Sequence, residues 1–548
     1  MAGPHCRRFA IAPRTGGDLG KERPGANAPT VGKVVYGPLN DLISSRWFRI
    51  GVGGLSGLLY GLALPKIDIQ WLAWVCLVPL FVPHALKRGG PLFLAGLSAG
   101  LVSATFRTYW IAQTLELYGG VPLPLGVFTT FLLIAYMALY SAIFLVLAGR
   151  FDLSWPLFPW AAASLWVLLE WVQSWMISGF PWALLGNTLY ETAPVLQLAS
   201  LTGVYGLSFL LVLVNGALAQ ILFLRRRPLV YGSGPLLVLV LVLLWGYYRL
   251  ESRPNTDAPS LQVGIVQGNI TQDQKWNNRK LAATQRYIEL SRQLPPNLDL
   301  IVFPETALPI FFTDPHFQPY SQPVAELAQQ WSTHVLVGSL EGRVAQPDTI
   351  YNRAYLLDQK GQLQGFSDKV HLVPFGEYLP FPWIFNYLGG LTAESGRFTH
   401  GQSFKKLQLG QEGPAFGVFI CYESIFPAIT RQLTQLGATF LINTTNDAWF
   451  GTTSAPHQHF SMAILRAVET GRPVIRAANT GISGLIGPTG NVLARTDLFT
   501  TTAIQVELQP QTQMTPYTRF GDVLLYAAVF FLVACILPYR RWRRAQSF

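Results

Sequence analysis

Three polar side chains in the second half of the chain have the chemistry of a nucleophilic thiol site, and each borders an apolar run. Glu305 closes Val302-Phe303-Pro304-Glu305, Lys369 stands near the start of Asp368-Lys369-Val370-His371, and Cys421 follows Phe419-Ile420. A thiol is nucleophilic only as its thiolate, so Cys421 needs a base and a positive neighbour. Glu305 supplies the first and Lys369 the second. Buried together, a carboxylate and an ammonium shift each other's pKa, and the ammonium also stabilises the oxyanion of a tetrahedral intermediate. Cys421 is the one cysteine outside apolar segments and the leading tail, since Cys76 and Cys535 lie in the former and Cys6 in the latter. Four cysteines so placed form no disulfide framework. A lone cysteine is more often a small buried hydrophobe than a nucleophile; what singles out Cys421 is its company.

The elements that must position these residues begin at Leu261, where short β-rich runs alternate with helical stretches. Leu261 to Val266, Leu300 to Phe303, Val335 to Gly338, Tyr351 to Leu357, Phe416 to Ile420, Phe440 to Ile442, Val474 to Ala478 and Gly484 to Ile486 read as strands. Arg279 to Gln293, Val324 to Ser332, Ile425 to Leu436 and His457 to Thr470 read as helices. Nearly all-apolar strands interleaved with helices predict an α/β layered fold, whose strand ends are where such proteins put chemistry. Cys421 then falls at a strand-to-helix turn, where backbone N–H groups assist an oxyanion.

The first half is built for a different solvent. Charged residues are 13% of the 548-residue chain and hydrophobic residues 50%, with charge scarce from Trp47 to about Tyr248. Apolar stretches near 48 to 65, 69 to 86, 92 to 114, 122 to 148, 155 to 175, 195 to 223, 229 to 248 and 522 to 538 are each long enough to span a bilayer, predicting eight transmembrane helices. The domains expected are a disordered basic tail (1 to 46), seven spans (47 to 250), an α/β domain (251 to 521), and a last span with a basic tail (522 to 548). Basic residues collect on alternate loops: Lys33 and Arg46, Lys87-Arg88, Arg150, Arg225-Arg226-Arg227, and Arg540, Arg541, Arg543 and Arg544. The opposite loops, Leu115 to Gly120 and Met176 to Ala193, contain none. The positive-inside rule therefore predicts cytoplasmic termini and an extracytoplasmic α/β domain. Glu170, inside span five, must face protein or water, and Gly179-Phe180-Pro181-Trp182 offers aromatic residues suited to an interface.

A net charge of +11 does not point to nucleic acid, because the basic residues flank apolar stretches instead of forming one face. His457 and His459 with Asp447 are poor metal ligands, since an i, i+2 pair on a helix points in different directions. Gly487-Pro488-Thr489-Gly490 lacks the Lys-Ser/Thr of a phosphate loop. Neither a metal nor a cofactor is expected.

Glu305, Lys369 and Cys421, in that order, resemble the triad of the nitrilase superfamily over about residues 260 to 508. With the surrounding spans, the chain from about residue 47 resembles the apolipoprotein N-acyltransferase family, the membrane-embedded branch of that superfamily. Gln267-Gly268-Asn269-Ile270 with Trp276, Pro374 to Tyr378, Cys421-Tyr422-Glu423 and Asn443-Thr444-Thr445-Asn446-Asp447-Ala448-Trp449 carry the likeness. The resemblance implies an αββα sandwich on the periplasmic side of a bacterial inner membrane, acting as a monomer. It makes Glu305 the general base, Lys369 the oxyanion stabiliser and Cys421 the acyl carrier, and it gives Glu377, Tyr422, Glu423, Trp276 and Trp182 supporting or substrate-binding places. The implied donor is a membrane phospholipid and the acceptor a diacylglyceryl-modified lipoprotein. Two rivals stand beside this reading: a membrane-anchored amidase, and a non-catalytic receptor or transporter.

Overall fold

The structure is a computed structural model that describes residues 45–85, 92–225, 228–252, 259–272, 275, 280–343, 346–378 and 398–546. The basic tail up to residue 44, Lys87-Arg88 and Arg226-Arg227 lie outside the described residues.

Among the described residues, four helices are both long and apolar enough to cross a membrane: Leu123–Ala148, Val204–Leu224, Pro228–Glu251 and Val523–Ala545. Their outer faces carry exposed Phe128, Phe131, Leu237, Leu244, Phe530 and Leu537. A water-soluble protein does not tolerate so continuous an apolar face. Arg46–Leu62, Leu92–Thr108 and Phe158–Gln173 are shorter helices packed among them. Close approach is set by small residues: a Cβ on Gly96 would lie 2.5 Å from the Ser141 carbonyl oxygen.

The stretch expected to span at 69 to 86 is not one helix. It breaks into two 3₁₀ turns, Gln70–Trp74 and Pro79–Phe81, followed by a single helical turn, Val82–Ala85. Pro79 and Pro83 remove donors there, and buried Asn215 satisfies the freed backbone from the helix Val204–Leu224. Its Oδ1 accepts from Leu77 N at 2.8 Å and its Nδ2 donates to Ala73 O at 3.0 Å. Irregular backbone survives at such a place only when protein supplies its partners.

Among the described residues the α/β part forms two six-stranded sheets. The first runs β12 (Thr502–Leu508), β1 (Leu261–Gln267), β2 (Leu300–Val302), β3 (His334–Arg343), β4 (Gln346–Leu357), β5 (Leu363–Asp368). The second runs β11 (Val492–Arg495), β10 (Gly484–Ile486), β9 (Val474–Ala478), β8 (Phe440–Thr445), β7 (Ala415–Ile420), β6 (Lys406–Gln408). In each sheet three inner strands are parallel, β1-β2-β3 and β7-β8-β9, and the flanking strands are antiparallel. Val263, Ile265, Val302 and Leu336 of one sheet pack on Val418, Ile420, Ile442 and Ile475 of the other. Helices Lys280–Ser291 and Gln318–Trp331 cover the first sheet, and Pro427–Gln435 and Ala455–Thr470 the second, completing an αββα sandwich. The layered fold expected from the strand pattern is thus present. Strands β5, β6, β11 and β12, which carry mixed or exposed side chains, are additions to it.

The second sheet's helices share one continuous apolar core with the membrane helices, with Phe460 and Ile464 among the same cluster as Leu207 and Leu211. The stretches lacking Lys and Arg meet the α/β part: the Tyr118 and Trp449 rings pack edge-on with centroids 5.2 Å apart, and Tyr422 Oη donates to Gly179 O at 3.1 Å. At the opposite end, beside Arg150, Asp152 N donates to Tyr539 Oη at 3.0 Å.

Candidate active site

Strand ends position the three polar residues. Glu305 follows β2, Lys369 follows β5 and Cys421 follows β7. Lys369 N extends the ladder by donating to Asn352 O at 2.9 Å, which brings its side chain toward that of Glu305. The loop carrying Glu305 presses on β3, where a Cβ on Gly338 would lie 2.2 Å from Pro304 O and 2.8 Å from Glu305 Cα. Only glycine fits that approach.

The side chains then converge in a dry cluster, with Lys369 1% and Glu305 5% exposed. Lys369 Nζ lies 3.2 Å from Glu305 Oε1 and 2.7 Å from Glu377 Oε1. Asn352 Nδ2 donates to the same two oxygens, at 2.7 and 3.2 Å. The other oxygen of Glu305 accepts from Asn446 N at 2.9 Å, and that of Glu377 from Val373 N at 2.8 Å. Lys275, also buried, donates to Glu305 O at 3.1 Å. Burial alone would raise the Glu305 pKa, but Lys369, the Asn352 hydrogen bond and Lys275 outweigh it and hold the carboxyl below its ordinary value. Burial likewise opposes the Lys369 charge, and Glu305 and Glu377 outweigh it, so the ammonium is held well above the usual lysine range. Burial pushes the Lys275 ammonium down to about 8.

Cys421 opens the 3₁₀ turn Cys421–Ile425 with φ +51°, the left-handed region that L residues rarely adopt. Burial drives its thiol pKa up and the Glu305 carboxylate adds to this, against Lys369 and a Thr445 hydrogen bond. The resting pair is therefore a neutral thiol beside an ionised carboxylate, which is the protonation state a general base requires. Glu423 ties the Cys421 turn to the Lys369 loop. Its Oε1 accepts from Val370 N (2.8 Å) and His371 N (2.9 Å), and its Oε2 from Ile420 N (2.7 Å).

Tyr422 is buried between the two halves of the molecule, stacked on Phe180 and next to His371 and Phe426. Trp182 is equally enclosed: Nε1 donates to Gln458 Oε1 at 2.7 Å and the ring stacks on His459. Glu170 Oε1 accepts from Trp166 Nε1 and from Leu185 N, capping the turn Leu185–Leu189 that follows the Trp182 loop. Trp276 lies outside the described residues. Asp447 and His459 do come together, at 3.0 Å, and their third neighbour is the Arg476 guanidinium, 2.7 Å from Asp447 Oδ2. A cation in that position makes the cluster an ion-pair network unsuited to a metal.

Asn352, Asn446 and Lys275 were not evident from the sequence as members of this cluster. Asn446 stood inside the Asn443 to Trp449 run, whereas Asn352 is an inconspicuous polar residue within a strand.

Residues 262–517 match the family model for carbon-nitrogen hydrolase, and residues 56–217 that for the apolipoprotein N-acyltransferase N-terminal domain. The apolipoprotein N-acyltransferase of Geobacter metallireducens is 36% identical over 91% of this chain and 97% of its own length. That of Nitrosomonas europaea is 33% identical over 89% and 95%. Among solved structures, Saccharomyces cerevisiae Nit3, a member of branch 10 of the nitrilase superfamily, is 22% identical with a TM-score of 0.36, covering 47% of this chain and 94% of its own.

Proposed function

The chain belongs to the apolipoprotein N-acyltransferase family, and from that premise we propose that it moves a fatty acyl group from a membrane phospholipid, through a thioester on Cys421, to the α-amino group of a diacylglyceryl-modified N-terminal cysteine. The observation that carries the assignment of roles is the buried Glu305–Lys369 pair at 3.2 Å, both of whose charges act on the buried Cys421 thiol.

Cys421 Sγ attacks the ester carbonyl as Glu305 takes the thiol proton. The oxyanion that forms faces the Lys369 ammonium and the N–H groups of the turn after Cys421. The C–O bond then breaks, Glu305 returns the proton to the departing alkoxide, and a lysophospholipid leaves a thioester behind. In the second half the lipoprotein amine attacks the thioester carbonyl, Glu305 accepts its proton, and the C–S bond breaks. The protonated Glu305 reprotonates the thiolate, restoring the starting state. Glu377 and Asn352 hold Lys369 and Glu305 in register, and the enclosed site keeps water from the thioester.

The eight expected spans and the extracytoplasmic position of the α/β domain belong to the same reading. Four long apolar helices among the described residues, the shorter helices packed among them, and the meeting of the loops that lack Lys and Arg with the α/β domain support it. The four arginines that end Val523–Ala545 support a cytoplasmic C-terminus.

Intact-protein mass spectrometry of the purified chain after incubation with phospholipid tests the chemistry. A fatty acyl adduct mapped to Cys421 and discharged by a lipoprotein-derived amine is expected. An adduct that persists unchanged in Cys421→Ala would remove this residue from the nucleophile role.

A further inference from the structure

We propose that His459 is a positioning residue for Cys421 and that the membrane domain sets it through Trp182. A non-glycine residue at φ +51° sits in a conformation that L residues rarely adopt, and the surroundings must hold it. One restraint is the Cys421 carbonyl, which lies 3.1 Å from His459 Nε2. A carbonyl only accepts, so Nε2 carries a hydrogen whatever the charge on the ring.

The rest of the imidazole is fixed from every side. Nδ1 lies 3.0 Å from Asp447 Oδ1 and 2.9 Å from Arg476 Nη2. Asp447 is itself held by the Thr445 hydroxyl at 3.0 Å and by Arg476. One face of the ring stacks on Trp182, with centroids 5.6 Å apart and planes at 21°, and Phe450 meets it edge-on at 5.8 Å. Asp447, His459 and Arg476 are fully buried.

Trp182 comes from the loop after span five, and its carbonyl and its indole N–H are both engaged. Its carbonyl accepts from Arg107 Nε at 2.8 Å, and its indole N–H reaches Gln458. Gln458 Nε2 in turn donates to Pro65 O and Phe106 O, each at 3.1 Å. Three segments of the membrane domain thus converge on the turn of the helix Ala455–Thr470 that carries His459. The route from membrane to nucleophile is Trp182 on His459, and His459 on the Cys421 carbonyl.

The inference rests on Cys421 being the nucleophile, and the test separates the two. The full chain in detergent is incubated with a phosphatidylethanolamine of defined acyl composition, and single-turnover thioester formation is followed by mass spectrometry over a range of lipid concentrations. Compared with wild type are Cys421→Ala, His459→Phe, which keeps a ring without the donor, and His459→Gln, which keeps an N–H. His459→Phe is expected to lower the maximal rate about tenfold or more, with the half-saturating lipid concentration unchanged, because misplacing a reacting atom costs rate before binding. His459→Gln is expected to recover most of it. If His459→Phe does not fold, His459→Asn, one methylene too short to reach the carbonyl, replaces it in the comparison with His459→Gln. Equal rates for the folded donor-less and donor-bearing variants would overturn the inference, as would a loss carried by the half-saturating concentration alone. An adduct that survives in Cys421→Ala overturns the nucleophile reading and the inference with it; an adduct confined to Cys421 and formed at wild-type rate by folded His459→Phe overturns the inference alone.

Discussion

Lys369 lies closer to Glu377, at 2.7 Å, than to Glu305, at 3.2 Å. One buried ammonium thus serves two carboxylates, and the nearer is the one not assigned to proton transfer. In the proposed mechanism Glu377 anchors the charge, which leaves Glu305 free to exchange a proton while Lys369 stays in place.

That sharing lets charge in the reaction be separated from charge in the fold. Lys369→Met keeps much of the aliphatic volume but strands two carboxylates, and breaking a buried pair typically costs about 3–5 kcal/mol. Removing one oxyanion donor costs on the order of 100-fold to 1000-fold in rate. Both losses are expected in the single variant. In Lys369→Met combined with Glu377→Gln, one stranded charge is gone, so thermal stability in detergent should recover in part while thioester formation stays slow. A double variant that regains rate along with stability would show the Lys369 charge to be dispensable for chemistry.

Asn352 donates one Nδ2 group to both carboxylates. Asn352→Ala leaves buried acceptors short of a donor, a cost of about 1–3 kcal/mol, which corresponds to a rate loss of roughly fivefold to 150-fold if it falls on the transition state. Asn352→Asp adds a third carboxylate and should be slower still, by raising the Glu305 pKa. Stopped-flow or quenched-flow thioester formation at neutral pH checks the order wild type, Ala, Asp; an Asp variant faster than Ala would contradict it.

Two pH effects of opposite origin are expected in thioester formation. Glu305 is held below its ordinary value, so the acid limb should fall below pH 4.5 and leave the rate flat through pH 5 to 7. Lys275 is lowered to about 8, so its charge is present below that pH and lost above it. Without that charge the thiol is harder to ionise, and the rate should decline through about pH 8. Lys275→Met should be slow throughout and lack this limb. The linkage sign is also fixed: between about pH 8 and the unperturbed 10.5 the unfolded chain binds the proton that the folded chain has lost, so Lys275 makes stability rise with pH in that window. An unaltered alkaline limb in Lys275→Met would assign it to another group.

The α/β domain is expected on the extracytoplasmic side. Reporter fusions or membrane-impermeant thiol labelling at exposed positions such as Glu412 and Arg495 should give extracytoplasmic signals, and positions beyond Arg544 cytoplasmic ones. The reverse pattern would overturn the orientation drawn from the basic loops.

The sequence disclosed what rests on local pattern and withheld what rests on pairing across long separations. Glu305 and Cys421 were visible because each follows an apolar strand and Lys369 because it borders the Val370 to Phe375 run, and strands β7, β8 and β9 because all but the first residue of β7 are buried. Strand β11 was hidden by its mostly exposed side chains, and β12 by its half-polar alternation. The break near residue 75 depends on Asn215, far along the chain, so the apolar run alone read as a helix. His459 was weighed only as a metal ligand with His457; the spacing that argues against a shared metal says nothing of a carbonyl on the adjoining element.

Strand β12 closes one edge of the first sheet by pairing with β1 along its whole length, Leu261 opposite Leu508 through Gln267 opposite Thr502. Nearly the entire domain lies between these partners, so β1, although it emerges from the ribosome first, waits for one neighbour until almost all of the rest has been made. The strand that releases it is followed, after residues 509–522, by the helix Val523–Ala545. During synthesis, therefore, an open sheet edge persists on one side of the bilayer until shortly before the last helix enters it. Completion of the sheet and insertion of that helix become nearly simultaneous events. A translational pause or truncation placed just before residue 502 should leave a chain whose membrane helices are in place but whose β1 edge is unpaired, and such an edge invites aggregation and proteolysis.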